Sequence, residues 1–501
     1  MFVCVLLVVV ILLLLSSVRR RRDMLKLYEQ IGSGIKTLPI IGHSYLFLGG
    51  DENRMRAFQI LGRDAFNRDG MTSVWHANRF FTVVADPIIA DVILKSCLEK
   101  DDIMKLAQLL TDNGSIFAAV SIWRPRRKIL ASHFNTKILN DFVSVFSKQS
   151  EILITKLKET LDRGSFSVWN YFTTYTMDAV CETSLGVQVK SQHNPDQPFL
   201  KAFEECCDLG SARMVQPWLH SMTVYRHLPQ YKRYMKNKYF ICDFIKKIVQ
   251  SKRKDNELHQ ISDMNGDQYT GSDGVKSLLE LLIKNSNFTD KELQEESVIM
   301  VLAGTDTTAV AASFTALMLS QHLDVQDKVY EELREVFGDS NRAVEPDDLS
   351  QLKYLDAVVR ESLRLYPPVP VITRKVERDV ALPGGVTLIP GCGVVVNIWA
   401  IHRNPHYWGD DAEEFRPERF LDSALKHPAA FMPFSYGPRG CLGYRYAMMA
   451  LKSALASLLR QYRLMPDNES YATVKREPLR LKFDIMMKDV NNFRLRIESR
   501  N

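Results

Sequence analysis

Apolar residues run almost unbroken at the N-terminus, gather into short β-prone runs near residue 75, and then recur at helical spacing through most of the chain. Met1 to Val18 is interrupted only by the hydroxyls of Ser16 and Ser17. As a helix rising ~1.5 Å per residue, it is just long enough to cross a hydrocarbon core. Arg19, Arg20, Arg21 and Arg22 follow directly. A cleavable signal carries its basic residues before the apolar run and small residues at its end, the reverse of this order. The pattern predicts a retained membrane anchor at 1–18, a basic linker at 19–37 and a single body at 38–501. Arg-rich flanks stay on the cytoplasmic side, which places the N-terminus in the lumen and the body in the cytosol. In that topology the sequons at Asn113, Asn287 and Asn468 never meet a glycosyltransferase.

Leu38-Pro39-Ile40-Ile41-Gly42 reads as a rigid, turn-rich approach to the body. Thr72 to His76 and Phe80 to Ala85 read as a hairpin around Ala77-Asn78-Arg79. Asp86-Pro87 then offers an N-cap followed by proline at the first helical position. The pattern stays mainly helical to about Tyr366. Val386 to Ile389 and Val394 to Trp399 suggest a second small sheet region. No internal repeat is evident. The polar stretch from Ser251 to Ser272 lacks apolar periodicity and reads as a mobile surface connection. The expected class is therefore mainly α with small β-sheets, an α+β body.

One helix stands out. Thr289-Asp290-Lys291-Glu292 is a capping-box signature, and no proline intervenes before about His322, a span of ~50 Å at helical rise. From Val298 to Leu319 it is apolar nearly all round except for Thr305-Asp306-Thr307-Thr308 and two more hydroxyls. That marks a central buried helix or a second membrane span, and Asp306 in mid-helix favours burial in protein. Threonine hydroxyls there can bond back to carbonyls one turn earlier and open the helix slightly. Asp306 is a salt-bridged structural acid or, beside an alcohol, a proton relay.

Composition narrows the function. The 501 residues, 46% hydrophobic and 25% charged, suit a globular enzyme and exclude collagenous or broadly disordered classes. Arg19 to Arg22 supply four of the six net positive charges, so the body is close to neutral and nucleic acid is a poor partner. The eight cysteines form no CxxC pair, which suits reduced thiols in the cytosol.

Glu361 and Arg364 share a helix face at i,i+3 ahead of Pro367-Pro368; taken alone, they are a surface ion pair or the start of a buried network. Arg419, in Phe415-Arg416-Pro417-Glu418-Arg419-Phe420, offers a second cation for Glu361. In Phe434-Ser435-Tyr436-Gly437-Pro438-Arg439-Gly440-Cys441-Leu442-Gly443, the glycines permit a tight loop against a flat ligand and set Cys441 at the start of a helix from Tyr444 to Gln461. The positive end of a helix favours a thiolate, the form that ligates metal. A buried inert cysteine is the alternative.

Together these segments resemble the cytochrome P-450 superfamily. FSYGPRGCLG is similar to its FxxGxRxCxG haem-binding signature at every defined position. Ala303 to Thr308 (AGTDTT) resembles the oxygen-activation motif, Glu361 to Arg364 the ExxR, Pro417 to Phe420 the PERF box, and Trp123 to Arg127 the WxxxR. The resemblance implies that fold, with haem b buried between a long central helix and the Cys-loop helix. It implies Cys441 as the iron ligand within the Gly437 to Gly443 loop and Phe434 shielding the sulfur. Arg439, Trp123, Arg127 and Arg374 would lie near the propionates. Glu361, Arg364 and Arg419 would form a structural triad, and Asp306 and Thr307 would deliver protons to dioxygen.

The anchor and AGTDTT resemble the microsomal group that includes fatty-acid hydroxylases and many insect enzymes. This implies an endoplasmic reticulum location and a monooxygenase drawing on NADPH through NADPH–cytochrome P-450 reductase, with cytochrome b5 a further possible partner. The basic cluster of Arg124, Arg126, Arg127 and Lys128 suits an acidic partner. Val301, Leu302, Ala303, Val369 and Val371 imply a lipophilic substrate such as a fatty acid, terpenoid, odorant or xenobiotic. Ala303 stands where many of that group carry a Glu able to esterify the haem, so no covalent link is expected there. The alternatives are a haem-thiolate isomerase or dehydratase acting on a lipid peroxide, and a non-catalytic haem or lipid binder.

Overall fold

A computed structural model describes residues 21–106, 108–161, 163–265, 276–422, 424–467 and 478–500. The predicted anchor lies outside them, as does the Asn468 sequon. Residues 21–31, read as part of a basic linker, form a helix that buries Met24 and Leu27 against a small-sheet core including Phe80, Ile93 and Val394. Helices make up most of the body.

The hairpin forms as Met71–His76 against Arg79–Val84, with Ala77 in the left-handed region at the turn. Asp86 caps the helix Pro87–Ser96 by accepting hydrogen bonds from the Ile88 and Ile89 N–H groups. The Leu38 to Gly42 turn closes on itself through the Gly42 N–H to the Leu38 carbonyl and is bridged to His76.

Two expectations are corrected. The run at Val394 does not start a separate sheet. It forms Gly393–Asn397, which pairs in parallel with Arg79–Val84 and antiparallel with Val371–Lys375, giving one four-stranded sheet. Parallel strands need no tight turn between them, so sequence patterning carries no local sign of the pairing. Val386 to Ile389 yields only the short strand Thr387–Leu388, paired with Val380–Ala381. Secondly, the polar stretch from Ser251 is not all connection: the helix Pro229–Asn265 continues through its first part. Its lysines and arginines are good helix formers. Lys252 pairs with Glu280 at 2.6 Å and Arg253 with Asp290 at 3.0 Å, tying this polar helix to its neighbours. Residues 266–275 lie outside the described residues.

The central helix runs Asp290–Gln321. Thr289 Oγ1 accepts from the Glu292 N–H, and the Glu292 carboxylate accepts from the Thr289 N–H, completing the box. Among the described residues it is the one helix long and apolar enough to cross a membrane, yet it is enclosed by protein. It packs against the helix Trp169–Val180, where a Cβ on Gly304 would lie 2.9 Å from Val180 Cγ2. Glycine here sets how closely the two helices approach. Towards the C-terminus, Leu481–Asp484 and Met486–Asp489 form a hairpin, and Arg494–Ser499 pairs with Tyr462–Pro466 and Phe166–Ser167.

Thr289→Ala removes the cap that starts the central helix and is expected to cost about 1 kcal/mol. A lower urea midpoint with an unchanged slope checks this; an unmoved midpoint contradicts it.

Candidate active site

The helix Lys353–Leu365 puts Glu361 and Arg364 on one face, and both side chains are fully buried. Arg364 Nε and Nη2 donate to the two Glu361 oxygens at 2.7 and 2.8 Å, a bidentate pair. Arg419 Nε donates to Glu361 Oε1 at 3.0 Å, and the Arg416 N–H to the same oxygen at 2.8 Å. The surface-pair alternative is thereby excluded. Arg364 also donates to the carbonyls of His402, Ala412 and Glu414, so its donors are satisfied across three segments.

His402 extends this network. Its Nε2 accepts from the Met432 N–H at 2.8 Å, so the proton sits on Nδ1, which donates to the Arg364 carbonyl at 3.0 Å. Burial, with the Arg364 and Arg403 charges adding to it against backbone hydrogen bonds, pushes its pKa down to about 3. His402 therefore stays neutral and in one tautomer. Met432 lies two residues before Phe434, so the buried charges reach the Cys loop through a single imidazole.

The loop closes through the Cys441 N–H to the Phe434 carbonyl at 2.8 Å. Gly437 is in the left-handed region at φ 72°, and a Cβ there would meet the Leu94 carbonyl at 2.9 Å, so this glycine is obligatory. Gly443 is the N-cap residue of the helix Tyr444–Gln461, and Phe434 packs edge-on to Tyr444. Of the described cysteines, Cys441 is the exposed one. Although Cys441 is accessible, the protein atoms crowded around it desolvate the thiol and push its pKa up, opposed by the Gly443 N–H and the Arg127 charge. The helix terminus thus does not by itself yield a low thiol pKa, contrary to the sequence expectation. A coordinating metal deprotonates a thiol outright.

Beside the loop, cations converge around a single carboxylate, Glu99, which attracts Arg439 and accepts a hydrogen bond from the Val120 N–H at 2.7 Å. Arg374 is fully buried, and its Nη1 donates to the Thr373 carbonyl while Nε and Nη2 have no partner. Burial, reinforced by the Arg439 charge, lowers its pKa to about 10. Arg439 stacks 4.3 Å over Trp123 and donates to the carbonyls of Leu98, Ser115 and Ala118. Burial and the charges of Arg374 and Arg439 hold Lys100 well below the ordinary ammonium range. Arg127, near both Cys441 and Arg439, has no hydrogen-bond or ion-pair partner among the described residues. Leaving a buried guanidinium unpaired is costly. A set of like charges next to a thiol fits a ligand that carries carboxylates and a metal, as haem does.

On the central helix, Ala303, Gly304 and Thr307 are the partly exposed positions in an otherwise buried stretch. Thr307 Oγ1 donates to the Ala303 carbonyl at 2.6 Å, the back-bond its position predicts. Asp306 does not meet Thr307. Its Oδ1 lies 3.4 Å from Lys488 Nζ on the C-terminal hairpin.

Sequence reading missed His402, Lys100 and Lys488. His402 and Lys488 act through partners far along the chain, and Lys100 sits in Glu99-Lys100-Asp101-Asp102, which reads as a solvated charge run. It also misplaced Arg126. That guanidinium is buried and pairs with Glu295 at 2.9 Å and Glu296 at 3.1 Å, so it is no part of an exposed basic cluster. Arg124 and Lys128 are exposed.

Comparison with known proteins bears on this arrangement. The family model described as "Cytochrome P450" matches residues 34–490. The chain is similar to "Cytochrome P450 4c21" of Blattella germanica, 29% identical over 478 residues, covering 93% of each chain. It is 30% identical over 490 residues to "Cytochrome P450 4V2" of Mus musculus, covering 94% of this chain and 90% of that one. "Cytochrome P450 4d8" of Drosophila melanogaster is 30% identical over 426 residues, covering 82% and 92%.

Arg364→Leu leaves Glu361 as a buried charge with half its partners and is expected to cost about 3–5 kcal/mol. Asp91→Ala, which removes the more exposed Lys95 pair at 2.8 Å, should cost about 1 kcal/mol or less. Urea unfolding of the two variants checks the contrast, and equal losses would contradict it.

Proposed function

Given that the chain belongs to the cytochrome P450 family and is a haem monooxygenase, we propose that it inserts one atom of O2 into a lipophilic small molecule, drawing two electrons from NADPH through a reductase. Support comes chiefly from Arg374, whose buried, half-unpartnered guanidinium calls for a carboxylate beside Cys441. In this reading Cys441 holds the iron, and Arg374, Arg439, Arg127, Trp123 and Lys100 hold the propionates. Phe434 lies beside the sulfur. Haem, when bound through a strongly donating thiolate, supplies the activation of O2 and its O–O cleavage.

The chain supplies position, exclusion of water and protons. Glu361, Arg364 and Arg419, through His402, fix where the sulfur stands. Val301, Leu302 and Val371 are buried, and Ala303 and Val369 half-buried, so the substrate side is apolar. Such a wall binds lipids, terpenoids or foreign apolar compounds and discriminates against charged ones. Thr307 Oγ1 gives its proton to the Ala303 carbonyl and offers its lone pairs, so it can hold a water or pass a proton without leaving its rotamer. Asp306, paired with Lys488 and apart from Thr307, would be the acid that supplies the proton. The N-terminal anchor would hold the enzyme on the endoplasmic reticulum with its body in the cytosol. Exposed Arg124 and Lys128 would meet an acidic face of the reductase or of cytochrome b5.

Cys441→Ser is expected to abolish the red-shifted Soret band of the reduced carbon-monoxide complex; survival of the band would mean another ligand. Thr307→Ala is expected to divert electrons from product to peroxide by roughly tenfold or more, the scale of a lost general acid. Unchanged coupling of NADPH use to product would overturn its role.

A further inference from the structure

Asp306 is a buried acid. Its side chain is 3% exposed, its Oδ2 has no partner, and its Oδ1 is held by Lys488. An acid that gives up a proton in every cycle must be refilled. The same Lys488 Nζ lies 3.4 Å from Asp484 Oδ2, across the turn of the C-terminal hairpin, and 4.5 Å from the centre of the Trp169 ring. Asp484 is 17% exposed against 3% for Asp306, so it is the more exposed of the two carboxylates held by this ammonium, although its Oδ1 is buried and unpartnered.

We propose that Asp484 is the outer proton donor that refills Asp306, and that Lys488 is the positioning residue holding the two carboxylates together. This rests on the monooxygenase reading, in which Asp306 delivers protons. Two carboxylates around one buried ammonium leave an excess negative charge, which a single proton removes. Burial pushes Asp484 up, and although Lys488 pulls it back, its pKa reaches about 7. Burial lowers Lys488, but the Asp306 and Asp484 charges outweigh this and hold its ammonium above the ordinary range, so it keeps its own proton. Other groups face the cluster from each packed element. They are Lys482 on the same hairpin, Cys207 and Glu204 on the helix Pro198–Val215, and Asp51 on the helix Asp51–Phe66, 4.0 Å from Lys482. In the step itself the Asp484 O–H bond breaks and an Asp306 O–H bond forms. The Asp484 carboxylate, still paired with Lys488, then takes a proton from water.

The carboxyl is protonated below its raised pKa and loses its proton as pH rises through about 7. Supply to Asp306 should fall over that window. The test uses the full chain with haem bound. The pH-difference infrared spectrum of the wild type should show a protonated carboxyl stretch that titrates near pH 7. That band should be absent in Asp484→Asn, displaced to higher pH in Lys488→Met and retained in Lys488→Arg. With a reductase and the uncharged terpene limonene as the apolar probe, the share of NADPH electrons released as peroxide should rise with pH across the same window. In Asp484→Asn it should be high and independent of pH, and Asp484→Glu should restore the profile. No carboxyl titrating near pH 7 in the wild type, or an unchanged peroxide profile in Asp484→Asn, overturns the proposal. Failure of the wild type to oxidise NADPH would instead refute the monooxygenase reading, and the infrared titration would still decide whether Asp484 is the shared acid.

Discussion

A fully buried carboxylate, Glu361, governs the arrangement of everything around it. It is tolerated because Arg364, Arg419 and the Arg416 N–H satisfy both its oxygens. Arg364 in turn depends on three backbone carbonyls, and its own carbonyl orients His402. The imidazole, fixed in one tautomer, holds the Met432 N–H at the head of the Cys loop. Each member would be costly alone and is satisfied only when all are present, which makes the assembly cooperative. Cys441 therefore stands on a loop whose head is anchored by a charge network.

Electrostatics on the two sides of the site have opposite senses. Around the loop, Arg374, Arg439, Arg127 and Lys100 accumulate positive charge that Glu99 offsets only in part. Along the central helix, Asp306, Lys488 and Asp484 accumulate more carboxylate than ammonium. In the proposed reading, the first imbalance is relieved by an anionic ligand and the second by a proton. Binding and proton supply thus become two expressions of charges that the protein buries and does not itself fully compensate.

Features with a local cause were legible in the sequence. The capping box at Thr289, the stop at Pro367-Pro368 and the Tyr444–Gln461 helix all follow from residues within a few positions of each other. So does the Asp86-Pro87 helix start. The Glu361, Arg364 and Arg419 network was legible through motif spacing. What escaped depends on contacts far along the chain. Gly393–Asn397 joins Arg79–Val84 with no hairpin to announce it. Arg126 sits in a basic run, yet its charge is spent inside the protein on Glu295 and Glu296 from the central helix. Asp306 was legible as a significant acid, but its partner Lys488 comes from a hairpin whose strands the pattern did not reveal. The thiolate expected at a helix start is opposed by burial, which pushes the Cys441 thiol up against the Gly443 N–H and the Arg127 charge.

The central claim is that one sulfur, from Cys441, binds iron at the place this network prepares. Iron K-edge X-ray absorption on the purified chain loaded with haem tests it without relying on turnover. The account predicts a first shell of four porphyrin nitrogens and a single sulfur. A shell of nitrogen and oxygen alone, or a chain that takes up no haem, would contradict it.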